Sequence, residues 1–319
     1  MNKERFDEIV EKFKTTRDLD GDILNMHYLL IKQNQEVYLH RFNDRQELSD
    51  VRSLSKTVMT IVTGIIIEKS NENKYPHFDE ETYIYPILSK VIHLSNSKNL
   101  EKLQKVKVKH LLNHTVGYNQ VLLMRNDVAD RDPFTYLDYL INEPLMHEAG
   151  DYYLYSNAGF YLLSVVLQEF INEDLLGFFE RNLFQELEIE DYRWEKYGNY
   201  LAGATRLWMN ALDLLKIGEL LLGKGLYQGK RLVSKEWIDK ILIPTTYTSN
   251  VDSPKRTFRR YAYGSGIWLA IESIFFGHGT DGQTLIMVPD KNSIILTLAH
   301  QKEIIQLENI LNSIIEKDL

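Results

Sequence analysis

Residues 53–69 read SLSKTVMTIVTGIIIEK. Leu54, Val58, Ile61, Val62, Ile65 and Ile66 recur at steps of three and four, the period of a helix with a buried face. A serine opens this helix and a lysine follows three positions on. Residues so spaced share a helix face, with Cβ atoms about 5–6 Å apart, so the Lys56 amine can reach the Ser53 hydroxyl. A hydroxyl needs a base beside it to become a nucleophile. A lysine serves when dry surroundings or a nearby cation disfavour its charged form. In the first turn the Ser53 N–H is free of helix bonding and can donate to a developing oxyanion. The same four residues also read as an N-cap serine followed by a surface lysine. Ser55 is the weaker nucleophile, because Lys56 is then adjacent and faces away.

On the N-terminal side, His27 to Lys32 and Glu36 to Phe42 are β-rich and flank Gln33-Asn34-Gln35, a hairpin signal. Before them, Met1 to Asp18 carries charges throughout, with Phe6, Ile9, Val10 and Phe13 at helical spacing. On the C-terminal side, Glu72 to Ile189 reads as helices and loops, including Lys107 to Leu112, Phe160 to Ile171 and Leu175 to Leu183. Strand signals return at Tyr263 to Ile271, Gln283 to Val288 and Ser293 to Ala299, with Pro289-Asp290-Lys291-Asn292 as turn chemistry. Ile304, Leu307, Leu311 and Ile314 form the stripe of a closing helix. Strands at both ends around a helical middle predict an α+β fold. An antiparallel sheet with N- and C-terminal helices would come from residues 1–70 and 200–319, and residues 71–199 would form an inserted helical lobe. The active site would lie in the cleft between the two lobes.

The bulk numbers narrow the function. The chain has 319 residues, 44% of them apolar and 11% aromatic, with 19 Tyr. That is enough for one large core or two smaller ones and argues against disorder. A formal net charge of −8 and the lack of a basic stripe speak against a nucleic-acid partner. There are no cysteines, which excludes disulfides, thiolate metal sites and cysteine nucleophiles. No apolar run approaches the roughly 18–20 residues of a membrane span. The N-terminus has no signal-peptide pattern, and a cytoplasmic location is expected.

Two further elements carry chemistry. Tyr155-Ser156-Asn157 precedes the Phe160 to Ile171 helix. A phenol can relay a proton, and an amide can hold both a lysine and a substrate carbonyl. His278-Gly279, then Thr280-Asp281-Gly282-Gln283, lie between two strand-like runs. There a donor on a strand edge, with glycines permitting close approach, suits an extended acyl group. Other strings mislead. Gly277-x-Gly279-x-x-Gly282 matches a dinucleotide fingerprint but is followed by a strand where that motif needs a helix. His147-Glu148 lacks a second histidine four residues after His147. His110 and His114 share a helix face without a third metal ligand at useful spacing and read as packing residues.

In order, Ser53-Leu54-Ser55-Lys56-Thr57, Tyr155-Ser156-Asn157 and His278-Gly279 resemble the three motifs of the class C β-lactamase-like branch of the penicillin-recognising serine hydrolases. VKVKHLLNHTVG at 106–117 and YLYSNAGFYLL at 153–163 are similar to family segments. Residues 202–237 resemble the 6-aminohexanoate-oligomer hydrolase and esterase-like members. The resemblance runs from His27 to Ala299. It implies Ser53 as acylated nucleophile, Lys56 as its proton partner and Tyr155 as general base or relay, leaving open which of the last two takes the first proton. It implies substrate contacts from Asn157, His278 and Gly279, and an oxyanion hole from the Ser53 N–H with a second N–H, that of Gln283. The sequence departs from the family at Thr280, where glycine is usual. Either an insertion shifts the alignment onto Gly282-Gln283, or the strand edge is partly blocked. Val116 and Ala149 replace a usual Ser and Pro. The implied activity is hydrolysis, through an acyl-enzyme, of a small ester, amide or D-amino-acid peptide. The alternatives are a β-lactamase or penicillin-binding D,D-carboxypeptidase, and a catalytically quiet protein that binds a peptide or acyl ligand. No metal or organic cofactor is implied, and the partner is a small-molecule or short-peptide substrate.

Overall fold

The computed structural model describes residues 1–43, 48–248 and 258–319. The predicted hairpin forms from β1 (Met26–Gln33) and β2 (Glu36–Arg41), with Gln33 opposite Glu36. Asn34 turns it at φ 56°, a left-handed conformation that asparagine tolerates better than most residues. Six further strands complete one sheet: β3 (Thr246–Tyr247), β4 (Ala262–Tyr263), β5 (Trp268–Leu269), β6 (Phe275–Gly279), β7 (Gln283–Val288) and β8 (Ser293–Ala299). Their order is β3-β4-β5-β6-β7-β8-β1-β2, every pair antiparallel, so the N-terminal hairpin is added to the edge formed by the last strand. Among the described residues no strand of this sheet comes from 71–199.

Helices cover both faces. On one side lie α1 (Lys3–Thr15) and, at the other end of the chain, the helix Ile305–Lys317. Phe6, Ile9, Phe13, Leu307, Ile310 and Leu311 are buried there with Leu29, Ile31, Phe276, Ile286 and Ile295 of the sheet. Leu30, Leu285, Ile294 and Leu296 point the other way, as strand alternation requires. They join the larger core with α2 (Ser55–Asn71), α3 (Val108–Leu112), α4 (Ala158–Ile171) and α5 (Ala211–Leu222). The closing helix is therefore α6. Because both faces are covered, every residue of β7 and β8 is buried, which is why apolar residues dominate both strands without an apolar-polar alternation. Among the described residues no helix is long and apolar enough to cross a membrane.

One predicted strand is divided. Tyr263 to Ile271 was expected to run continuously, but Gly264-Ser265-Gly266 breaks it into the β4–β5 hairpin, and Gly266 adopts φ 69°. This turn is pressed onto α2 beside the lysine. The Gly266 N–H donates to Leu112 O at 3.1 Å, and its carbonyl accepts from Thr57 Oγ1 at 2.9 Å. A Cβ at Gly266 would lie 2.0 Å from Thr60 Oγ1 and 3.1 Å from Lys56 O. The approach of this turn sets where the sheet meets the start of α2.

Replacing Gly266 by alanine should therefore lower unfolding free energy by about 2 kcal/mol or more in denaturant titration, from the collision added to the backbone strain. Gly21→Ala is the control, since Gly21 also has positive φ but has nothing within 4 Å of an added Cβ. It should lose about 1 kcal/mol or less.

Candidate active site

Ser53 sits in a short 3-10 turn, Arg52–Leu54, that runs directly into α2. Arg52 has φ 54°, an uncommon value for a residue with a side chain. It is held there on both sides. Its N–H donates to Asp50 Oδ1 at 2.9 Å, and its guanidinium meets Asp50 at 2.9 Å and Asp281 at 3.2 Å. The kink lifts Ser53 out of the helix line and leaves it half-buried at the surface of a cleft. Strand β6 passes behind the turn. Added Cβ atoms would lie 3.0 Å from Leu54 Cγ at Gly277 and 2.6 Å from Val51 O at Gly279, so glycine there permits the contact.

Lys56 is almost wholly buried, at 1% exposure. Its Nζ donates to Ser53 Oγ at 3.0 Å, Asn157 Oδ1 at 2.9 Å and the Ala204 carbonyl at 3.1 Å. Three acceptors satisfy the three hydrogens of an ammonium. Burial opposes them and pushes the amine down from 10.5 to about 7. Lys56 therefore changes charge near neutrality, and when neutral it presents a lone pair beside the serine hydroxyl.

Asn157 stands at the start of α4 without a side-chain capping bond, and its Nδ2 donates to Leu123 O at 2.8 Å. Two residues earlier, the Tyr155 ring lies 4.9 Å from Lys56 Nζ, and Ser53 is near enough to act on its hydroxyl. Burial raises the phenol to about 12; Ser53 and then the charge of Arg260 act against that rise. The ring is walled by His114 at 4.4 Å, Trp268 at 5.5 Å and Tyr263 at 5.8 Å between centroids. His114 is buried and held well below its ordinary range, by burial first and the Lys56 charge second. Its Nε2 pairs with the Tyr263 hydroxyl at 3.2 Å.

Ser53, Lys56, Tyr155 and Asn157, named from sequence, thus converge. The third motif is placed differently. Gly279 packs on the turn of Ser53, but His278 projects toward Arg260 Nη1, 3.2 Å away, and Glu308 Oε1, 3.9 Å away. Gln283 faces Gly279 one strand further in, with its Nε2 donating to the Ala299 carbonyl. Thr280 and Asp281 line the cleft in its place. Sequence reasoning missed the Ala204 carbonyl, which carries no side-chain signal, and took His114 for packing alone. It also passed over Arg260, which belongs to no motif.

The cleft beside Ser53 has a volume of about 360 Å³ and includes Asn157, Leu123, Met124, Tyr197 and Thr205 in its wall. Its charged rim is Arg52, Arg125, Arg206 and Asp281. Asp281 is shared by Arg52 and Arg125, the latter at 3.1 Å, which ties the loop around Arg125 to the turn after β6.

Several solved structures share this fold. A class C β-lactamase superposes with a TM-score of 0.72 at 15% identity, covering 99% of this chain and 96% of the other. A penicillin-binding protein from Bacillus halodurans gives 0.70 at 15%, covering 97% and 99%. EstCE1, a hydrolase with promiscuous acyltransferase activity, gives 0.71 at 14%, covering 96% and 98%. The family model described as Beta-lactamase matches residues 6–315, and the chain belongs to that family.

Proposed function

We propose that the protein is a serine hydrolase that forms an acyl-enzyme on Ser53 from a small ester, amide or short D-amino-acid peptide. The observation that carries this reading is the buried Lys56 amine, 3.0 Å from a serine hydroxyl that opens onto a cleft. An amine that titrates near 7 is matched to proton transfer at physiological pH, whereas a phenol near 12 is not. Lys56 is therefore assigned as the base for Ser53, and Tyr155 as the donor that returns a proton to the leaving group. Asn157 keeps the amine in register and offers its side chain to the substrate. The developing oxyanion would take the Ser53 N–H and an N–H from the Gly279–Thr280 edge, each donor worth about 3–4 kcal/mol in the transition state. The Gly279–Thr280 edge replaces Gln283 in this role because Thr280 borders the cleft with Ser53. A cleft of about 360 Å³ is at the small end for ligand pockets, which favours a compact acyl group.

A panel of a p-nitrophenyl ester, a chromogenic cephalosporin and a D-alanyl dipeptide tests the reaction class. At least one should be turned over and leave a transient mass increment on Ser53. Ser53→Ala should lose both the increment and about a thousandfold or more in kcat. Undiminished turnover in Ser53→Ala would remove the mechanism.

The pH dependence follows from Lys56. Since the neutral amine is the base, kcat/KM should rise with pH through about 7 and level off above it. Stability carries the same signature. The folded lysine loses its proton near 7 and the unfolded one near 10.5, so between those values the unfolded chain holds the extra proton and stability rises with pH. Below about 7 both are charged and the full cost of burying the ammonium is felt. Lys56→Met should thus be more stable than wild type at pH 6 in denaturant titrations, with the advantage shrinking toward pH 10.5. An advantage independent of pH would mean that the amine is not perturbed.

A further inference from the structure

At neutral pH the third motif does not supply a cation through His278. Burial, and after it the Arg260 charge, push that imidazole down to about 3. A neutral ring with its proton on Nδ1 accepts at Nε2, and the group 3.2 Å from Nε2 is Arg260 Nη1. The same Nη1 donates to Glu308 Oε1 on α6 at 3.2 Å. The side chains of His278 and Glu308 are 12% and 15% exposed, and that of Arg260 36%. The guanidinium is thus docked between a strand and a helix.

The docked charge acts on Tyr155, drawing its phenol down against the effect of burial. Trp268 on β5 pairs with Phe276 on β6, and His278 two residues on shares that face by strand alternation. The Trp268 ring stacks on Tyr155 at 5.5 Å. The remaining titratable groups facing the phenol are His114, Tyr153 and Tyr263. All three are neutral at pH 7, the histidine held low and the tyrosines held high by burial. Lys56 Nζ, on α2, lies 4.9 Å from the centre of its ring.

We propose that Arg260, docked on His278 and Glu308, is the positioning cation that supports proton delivery by Tyr155. The inference rests on the acyl-enzyme reading and assigns Arg260 to its second half-step. When the tetrahedral adduct on Ser53 collapses, the bond from carbon to the leaving oxygen or nitrogen breaks. Its electron pair takes the proton of the Tyr155 hydroxyl, and a phenolate remains. The proton that Lys56 removed from Ser53 restores the phenol. Arg260 lowers the energy of the transient phenolate without touching substrate. His278 acts through the guanidinium as its acceptor.

Proton delivery matters only for a leaving group that cannot depart as a stable anion, so kcat/KM on two esters of one acid separates this role from a structural one. With ethyl butyrate, Arg260→Gln should lose about tenfold or more, a moderate fraction of a general-acid contribution. With p-nitrophenyl butyrate, whose leaving anion needs no proton, the loss should be several-fold smaller. Arg260→Lys should recover most of the ethyl ester activity. Glu308→Gln, which keeps the arginine but loosens its anchor, should show the same ester selectivity in milder form. It serves as the second variant if Arg260→Gln folds poorly by circular dichroism. Equal losses on both esters, or none on either, would overturn the role of Arg260 while leaving the acyl-enzyme intact. Absence of a mass increment on wild-type Ser53 with p-nitrophenyl butyrate and with every substrate of the panel above would overturn both.

Discussion

The arrangement depends on keeping one amine out of water. Lys56 lies in the first turn of a helix whose other residues are nearly all apolar or small, and its head group is enclosed by the Ser53 hydroxyl, the Asn157 amide and the Ala204 carbonyl. An ammonium in that position is hydrogen-bonded but poorly solvated, and burial draws the amine down to about 7. Were it fully solvated it would be a permanent cation and no base. Without the three acceptors it would be too weak a base to take a serine proton. The fold must therefore bring residues 53, 157 and 204 within one hydrogen-bond radius of a buried point.

Strain and charge around the serine serve the same end. A left-handed arginine costs about 1–2 kcal/mol, and Arg52 adopts that conformation directly before Ser53. The carboxylate of Asp50 offsets part of this by accepting both the Arg52 N–H and its guanidinium, while Asp281 draws the same guanidinium toward the end of β6. The first motif is thus tied electrostatically to the turn that follows the third, and Arg125 joins from the helical side of the cleft. Gly277 and Gly279 let the strand lie against this turn. Their glycines satisfied a dinucleotide-binding string in the sequence for a reason that has nothing to do with nucleotides.

Much of this was legible in the residues because it rests on local spacing. Ser53 and Lys56 are three apart on a periodic helix, the hairpin at Asn34 sits between two β-rich runs, and the helices at both termini show apolar stripes. Tyr155 and Asn157 were found because ordered motifs carried them, since no local pattern says that residue 155 meets residue 53. What depended on strand pairing was harder to read. The direction of His278 follows from which face of β6 packs on the Ser53 turn, and a one-residue change of register reverses it. Gln283 was expected at the oxyanion for the same reason, yet it lies a strand further in, while Thr280 reaches the cleft. The continuous strand expected over Tyr263 to Ile271 is a hairpin, because Gly264-Ser265-Gly266 turns the chain, with Gly266 at φ 69°. Arg260 carried no signal, because its neighbours His278 and Glu308 are distant in sequence.

The most direct measurement is of the Lys56 amine itself. In protein carrying 13C at the lysine ε-carbon, with Lys56→Met to assign the resonance, the chemical shift can be followed against pH by NMR. The account predicts one lysine titrating at about 7, apart from the remaining lysines. A Lys56 resonance that titrates with the others, near the ordinary 10.5, would contradict it, because a permanently charged amine cannot accept the proton of Ser53.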